Sequence, residues 1–206
     1  MDQLPPNHHG DNNAKFGGAV GYLAALTMVV GRGSDGHLVT ELAGVSAEDH
    51  VLDIGCGPGA AARIAAATGA TVTGVDPAQP MLHFARLLTR FGQPEGPIKW
   101  VQAGCESVPA PDNTFSVCWS LASVHHWPDL DAGLTEVRRV LKSGGQFIAL
   151  EKQSPPDADG LASHGWTADQ AERFAEMLPG FGFDDVVVAN HVRGRRKTVT
   201  VTATLS

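Results

Sequence analysis

Residues with acid–base potential follow two apolar segments of the chain. His125 and His126 come shortly after the segment 116–120, and Glu151 ends the segment 146–151. An imidazole can take a proton near neutral pH, so either histidine could act as a general base. Glu151 and several histidines could also hold a divalent metal such as Mg²⁺, which would polarise a hydroxyl group. No spacing here is diagnostic of a metal, so its identity and its requirement stay open.

These residues also have plain structural interpretations. The histidine pair could pack against or cap the next helix, and Glu151 could form a hydrogen bond at a strand end. His164 and Trp166, from the segment that follows Glu151, are further candidates for the same site.

A second group of residues has the spacing of a nucleotide-binding turn. The buried strand 51–54 runs into Gly55, Gly57 and Gly59. Glycines allow a sharp turn and the close approach of a ligand, and the amides of the following helix point at the same place. Asp76 ends the next strand, where a carboxylate can take both hydroxyls of a ribose.

The details of this turn separate the classes of nucleotide site. A dinucleotide site would have a third glycine inside the helix, whereas this turn carries Pro58 and closes at Gly59. A phosphate-binding P-loop is excluded because no Gly-Lys-Ser/Thr follows. Asp53 lies two residues before the turn, where a carboxylate suits a cationic cofactor with an amino group better than a pyrophosphate.

Alternating apolar strands and amphipathic helices position both groups. Strands are expected at 51–54, 71–75, 98–102, 116–120, 146–151, 186–192 and 198–204, and helices at 60–68, 79–91, 130–141 and 167–178. This order predicts an α/β, Rossmann-like, seven-stranded and mostly parallel sheet with helices on both faces and an antiparallel C-terminal edge hairpin. Ligands bind beyond the C-terminal ends of such strands, which places both groups on one rim.

The residues before the first strand are expected to cover this rim. We divide the chain into an N-terminal arm with covering helices (1–46) and the segment that forms the sheet (47–206), which together make a single compact domain. The arm is either irregular or a flap that brings His8, His9 or Asp11 to a ligand. The apolar helix 16–30 is too short to span a bilayer and could form a homodimer surface, and a second helix is expected at 37–44.

The bulk composition limits the partners and the compartment. The net charge of −7 argues against nucleic acid as the main partner. The basic cluster 193–197 is either a solvated turn or an anion-binding patch. Three cysteines without CxxC spacing indicate a reducing compartment, and no secretory signal is evident, so a cytoplasmic location is expected.

Four blocks in order resemble class I S-adenosylmethionine-dependent methyltransferases, in the small-molecule branch that includes ubiquinone and menaquinone biosynthesis. Val51–Gly59 resembles motif I, 73–76 the ribose motif, 103–115 the adenine loop, and 136–145 the motif before the fifth strand. The resemblance covers residues 47–151 well and the remainder loosely.

The resemblance implies a role for each matching residue. Gly55, Gly57 and Gly59 would pass the methionine moiety, Asp53 would steer its amino group, and Asp76 would hold the ribose. The remaining cofactor contacts would be Ala78, Met81 and the backbone of Cys105 and Glu106 at the adenine, and Ser120 and Leu121 at the methionine. Relatives often carry an acid at Gly104 that accepts the adenine N6 proton, so adenine recognition here would use backbone groups or water.

The same resemblance favours His125 over His126 as the base, since relatives more often have histidine there. We expect a methyltransferase that uses S-adenosylmethionine to methylate an oxygen of a small hydroxylated acceptor, such as a sugar, phenol or quinol. The alternatives are methylation of nitrogen or carbon in a small molecule, and a non-catalytic sensor or scaffold that binds the cofactor. Nucleic-acid methylation is disfavoured because Ser120–Ser123 lacks the Asn/Asp-Pro-Pro-Tyr/Phe box.

Overall fold

The structure is a computed structural model that describes residues 33–156, 164–194 and 196–206. The expected N-terminal arm and the helix at 16–30, with His8, His9 and Asp11, lie outside the described residues, and so do residues 157–163 of the loop after Glu151. Within the described residues, no helix combines the length and the apolar character needed to span a membrane.

The described elements alternate between strand and helix up to the fifth strand. Five α-helices are described: α1 (Gly33–Leu42), α2 (Ala60–Ala66), α3 (Gln79–Gly92), α4 (Leu130–Val140) and α5 (Ala168–Met177). The strands are β1 (His50–Ile54), β2 (Thr71–Val75), β3 (Ile98–Val101), β4 (Phe115–Leu121), β5 (Leu141–Lys152), β6 (Phe183–Arg193) and β7 (Arg196–Leu205). Short 3₁₀ turns occupy Val124–His126 and Leu178–Phe181.

The seven strands form one sheet in the order β3-β2-β1-β4-β5-β7-β6. Strands β1 to β5 pair in parallel, and β7 pairs antiparallel with both β5 and β6. The predicted Rossmann-like sheet with an antiparallel C-terminal hairpin is therefore confirmed. The chain reverses its direction of winding between β1 and β4, so their C-terminal ends border the crevice where such sheets bind ligands.

Strand β1 is central because neither of its faces meets water. Val51 is fully buried and packs with α1 and α2, whereas Leu52 is fully buried on the opposite side with α4 and α5. Strands of parallel sheets covered on both faces read as continuous apolar runs, which explains why the segment 51–54 does not alternate with polar residues. Helices thus cover both faces, as predicted.

The boundary between α4 and β5 differs from the prediction. We expected the helix to reach Leu141 and to stop at a glycine cap over 142–145, but α4 ends at Val140 and β5 begins at Leu141. Leu141 is extended (φ −74°, ψ 145°), fully buried and paired with Phe115. Gly144 and Gly145 are typical of residues that end a helix. Burial of Leu141 in the sheet nevertheless decides the boundary, because the free energy gained by burying a leucine exceeds that of a glycine cap.

The basic cluster also has a different role from either expectation. Arg196 donates from Nε to Asp35 of α1 at 3.0 Å, and Asp35 is almost fully buried. Arg193 donates to the carbonyl of Ser34 at 3.3 Å. The described part of this turn therefore ties the C-terminal hairpin to α1. That helix already includes Gly33, four residues before the predicted start at His37.

Candidate functional site

The turn after β1 adopts the conformation that its glycines permit. Gly55, Gly57 and Gly59 have φ values of 69°, 53° and 75°, a left-handed region that other residues rarely occupy. Space also demands glycine at position 55, because a Cβ there would stand 1.9 Å from the hydroxyl of Ser123. The loop that follows β4 therefore lies directly against the turn that follows β1.

The carboxylate of Asp76 closes this turn from the end of β2. One oxygen accepts from the amide of Gly57 at 2.9 Å, and the other accepts from the amide of Ala78 at 2.8 Å. Asp76 is only 7% exposed, so its charge is held in a largely dry position. Besides any ribose contact, this acid fixes the shape of the glycine turn.

A pocket opens between the turn and the end of β4. Asp53, Gly55, Cys56 and Leu121 are among the residues that line it. Burial raises the pKa of the Cys56 thiol, and the nearby Asp53 and Asp76 raise it further. Cys56 is therefore a neutral thiol in the wall of the pocket and not a nucleophile.

The residues expected at the adenine lie on α3 and on the loop after β3. Ala78 is half-buried just before α3, and Met81 is buried in its first turn. Cys105 is buried in the core, where burial and the neighbouring Glu106 raise the pKa of its thiol. Its side chain therefore faces the protein interior, in keeping with an adenine contact made only through its backbone.

Glu106 has an unexpected side-chain placement. Its carboxylate folds back over Gly104, so that a Cβ on that glycine would stand 2.2 Å from Oε2 of Glu106. The space that an acidic side chain at position 104 would fill is thus occupied by the carboxylate from position 106. From the sequence we expect adenine recognition by backbone groups or water. Oε2 of Glu106 is a further hydrogen-bond acceptor at this place.

The loop that carries Glu106 is held by a pair of charged residues on α4. Glu136 accepts from the amide of Val108 at 2.6 Å and from Nε of Arg139 at 2.8 Å. Arg139 in turn donates to the carbonyls of Val108 and Ala110 at 3.0 and 2.9 Å. The hydrogen bonds that Glu136 accepts from Arg139 hold the pKa of the Glu136 carboxyl below its usual range. This clamp gives two residues of the stretch 136–145 a structural role in holding the loop after β3.

His125 and Glu151 form a buried pair at the ends of β4 and β5. Nδ1 of His125 lies 2.8 Å from Oε2 of Glu151, and the amide of His125 donates to Oε1 at 3.4 Å. Glu151 is completely buried and His125 is 6% exposed. A carboxylate can only accept, so the proton between them belongs to Nδ1, and Nε2 of a neutral His125 carries a lone pair. Glu151 therefore orients the imidazole, and its full burial keeps it from direct contact with an acceptor.

His126 and His164 complete a cluster around His125. The ring centroids of His125 and His126 are 3.9 Å apart, and His164 lies 6.0 and 5.9 Å from the two. Nε2 of His125 has no hydrogen-bond partner among the described residues. The structure thus brings together His125 and His126, the two candidate bases, and His164, the further candidate for the same site.

Ser120 and Trp166 do not face the rim. Ser120 is fully buried within β4, and its hydroxyl finds no hydrogen-bond partner in the described part of the chain. Trp166 is also fully buried and packs on Phe174 with a centroid distance of 4.7 Å. The expectation that Trp166 would line the acceptor site is therefore wrong, because its large apolar ring completes the core under α5.

Comparison with known proteins places these features in one family. Residues 52–149 match the family described as "Methyltransferase domain". The chain is 32% identical over 147 residues to 27-O-demethylrifamycin SV methyltransferase of Amycolatopsis mediterranei, covering 69% of this chain and 52% of that protein. It is 35% identical over 116 residues to the sterol 24-C-methyltransferase ERG6B of Gibberella zeae, covering 56% and 30%.

The fold agrees with solved structures. The crystal structure of a SAM-dependent methyltransferase from Aquifex aeolicus superposes with a TM-score of 0.74 at 16% identity, covering 90% of this chain and 98% of that one. The chain spans about half or less of the length of the curated relatives it matches. These relatives are named for methylation at both oxygen and carbon, so they do not decide the acceptor atom.

Proposed function

We propose that this chain is a class I S-adenosylmethionine-dependent methyltransferase that methylates an oxygen of a small hydroxylated molecule; its match to a methyltransferase domain and to relatives named as methyltransferases supports this. One observation carries the proposal. The glycine turn that Asp76 closes touches Ser123, and only two residues further along the chain the His125–Glu151 pair presents Nε2. A cofactor site and a proton acceptor are thus contiguous on one rim.

The proposed reaction is a displacement at the sulfonium methyl group. A lone pair on the acceptor oxygen forms the new O–CH₃ bond as the S–CH₃ bond breaks, and the bonding electrons remain on sulfur as the neutral thioether of S-adenosylhomocysteine. The proton of the acceptor hydroxyl leaves to Nε2 of His125 and then to solvent. Alignment of the two reactants supplies much of the rate, and a positioned base adds about 10²- to 10⁴-fold.

The cofactor would lie along the glycine turn. We assign Gly55 and Gly57 to the methionine moiety and Asp53 to the amino group, with Leu121 beside them in the same pocket. One oxygen of Asp76 would exchange a backbone amide for a ribose hydroxyl. Ala78 and Met81 lie at the start of α3, where they would border the adenine.

The side chain of Glu106 is a candidate contact to the adenine that the sequence alone did not suggest. The position of its Oε2 over Gly104 fits an acceptor for the N6 proton of adenine. The Glu136–Arg139 clamp holds the loop that carries this acid, so the acceptor would be preorganised. Glu106 would thereby replace the acid that relatives often carry at position 104.

The acceptor would enter from the side of the histidines. A sugar, a phenol or a quinol each offers a hydroxyl group that needs a base. His125 remains our first choice because Glu151 fixes its ring, whereas His126 is half-buried beside it.

Calorimetry with S-adenosylmethionine and S-adenosylhomocysteine tests the first half of the proposal. We expect both to bind the intact protein. Absence of binding would refute the proposal. Transfer of a labelled methyl group to a panel of sugars, phenols and quinols tests the second half, and the position of the label in the product identifies the acceptor atom. Transfer only to carbon or nitrogen would refute the assignment to oxygen.

A sensor or scaffold that binds the cofactor without turnover is the second candidate. It shares every feature of the cofactor site, so binding alone does not separate the two. The buried His125–Glu151 pair favours the enzyme, because a sensor does not require an oriented imidazole beside the cofactor. Cofactor binding without transfer to any member of the panel would favour the sensor.

A further inference from the structure

We propose that His125, His126 and His164 together bind one divalent first-row transition-metal ion, such as Zn²⁺, Fe²⁺ or Co²⁺. The candidate ligand nitrogens all lie within 4.8 Å of one another, and among the described residues this is the group of three such side chains that could hold an ion. No metal site follows from the sequence spacing, because His164 joins the other two only through the fold.

The tautomer of His125 is the one that a metal site requires. Glu151 accepts the Nδ1 proton at 2.8 Å, so the lone pair of Nε2 is directed away from the carboxylate. Nε2 is buried and has no hydrogen-bond partner among the described residues. A carboxylate that holds the far nitrogen of a ligating histidine is the usual outer partner of metal-bound imidazole.

The cluster needs only a small contraction to coordinate an ion. Ligand nitrogens about 2.0 to 2.1 Å from a tetrahedral ion are about 3.3 Å apart, less than the present limit of 4.8 Å. His126 and His164 are half-buried, and the centroids of their rings lie 3.9 and 6.0 Å from that of His125. His125 is fixed by Glu151 and would set the position of the ion.

The ligand chemistry selects the ion. Three imidazole nitrogens suit zinc, iron, copper or nickel, whereas Mg²⁺ prefers carboxylate, carbonyl and water oxygens. The Mg²⁺ that the sequence raised as an option is therefore a poorer fit than a transition metal. Three histidines leave a fourth position of the ion for a water molecule or a hydroxyl group.

A consequence for the reaction rests on the proposed function. When the ion is bound, Nε2 of His125 is a ligand and is not available as a base. The ion would supply a Lewis acid that lowers the pKa of an acceptor hydroxyl, whose proton would leave to solvent. The metal site itself does not depend on this consequence, because ion binding is measured without cofactor or acceptor.

The test is a titration of tag-free, chelator-dialysed protein with Co²⁺, followed by visible absorption, and with Zn²⁺ in competition with a chromophoric chelator. We expect one ion per chain. His126→Asn and His164→Asn should each weaken binding at least about 100-fold, and Glu151→Gln about 10- to 100-fold. Because both histidines are half-buried, the metal-free variants should keep the Tm of the metal-free wild type.

The control variant His83→Asn removes an exposed histidine of α3 and should bind the ion as the wild type does. Unchanged affinity in His126→Asn and His164→Asn, or the absence of a stoichiometric ion, would overturn the proposal.

The outcome separates the metal site from the proposed function. Binding of S-adenosylhomocysteine and methyl transfer by a protein that takes up no stoichiometric ion would refute the metal site alone. Stoichiometric metal binding without cofactor binding would refute the methyltransferase proposal and leave the site intact.

Discussion

Nδ1 of His125 lies 2.8 Å from Oε2 of Glu151, although the two residues are 26 positions apart in the chain. The register of the parallel strands creates this pair, since Leu121 of β4 lies opposite Leu150 of β5. Glu151 is the next residue of β5, and His125 lies in the 3₁₀ turn that follows β4. Two neighbouring strand ends thus build the proposed catalytic side of the rim.

Replacement of His125 tests its role in turnover. His125→Asn should reduce methyl transfer at least about 100-fold, because it removes the imidazole that activates the acceptor. Its effect on the Kd of S-adenosylhomocysteine should stay within about threefold, and its thermal unfolding should show a loss of about 2 to 3 kcal/mol, since the buried Glu151 loses its partner. His83→Asn is the matched control. Unchanged turnover would rule out a catalytic role for His125.

Replacement of Asp76 tests the cofactor site. Asp76→Ala frees the amides of Gly57 and Ala78 and removes the expected ribose contact, so the Kd of S-adenosylhomocysteine should rise at least about 10-fold, a loss of about 1.4 kcal/mol. Asp76→Asn should lose less, because one amide oxygen can still accept. Calorimetry gives both values. Wild-type affinity in Asp76→Ala would contradict the ribose assignment.

Replacement of Glu106 tests the adenine contact. The wild type should bind S-adenosylhomocysteine more tightly than S-inosylhomocysteine, which lacks the N6 amino group. Glu106→Ala should reduce this preference at least about fivefold, because the acceptor over Gly104 is lost. Glu48→Gln removes an exposed acid elsewhere and serves as the control. An unchanged preference for S-adenosylhomocysteine in Glu106→Ala would contradict the side-chain contact and indicate that backbone groups recognise the adenine.

The Glu136–Arg139 clamp predicts a dependence of stability on pH. The hydrogen bonds that Glu136 accepts from Arg139 lower the pKa of Glu136 in the folded chain. As the pH falls, Glu136 is therefore protonated in the unfolded chain before it is protonated in the folded chain. The stabilisation is therefore complete above about pH 4.3 and shrinks as the pH drops below it towards the folded pKa.

Denaturant unfolding of Glu136→Gln measures this effect. The variant should be less stable than the wild type at pH 7 by about 1 to 3 kcal/mol, and the difference should narrow below about pH 4. Glu172→Gln, at an exposed position on α5, should show neither effect. A constant difference across this pH range would show that the charge of Glu136 does not stabilise the loop.

The local pattern of the chain was enough to predict the sheet and the cofactor turn. The run 51–54, the three glycines and Asp76 lie close together in sequence, and their conformations depend on local sterics and burial. The predicted boundary between α4 and β5 was wrong, because the packing of Leu141 in the sheet outweighs the local pattern of Gly144 and Gly145.

Tertiary structure decided the chemistry on the other side of the rim. The sequence supplied His125, His126, Glu151 and His164 as separate candidates, but their distances depend on strand register and on the path of the loop after β5. The placement of Glu106 over Gly104 and the clamp by Glu136 and Arg139 likewise join residues whose side chains meet only after folding. Local sequence determines conformation, whereas side-chain chemistry between distant segments requires the packed sheet that brings them into contact.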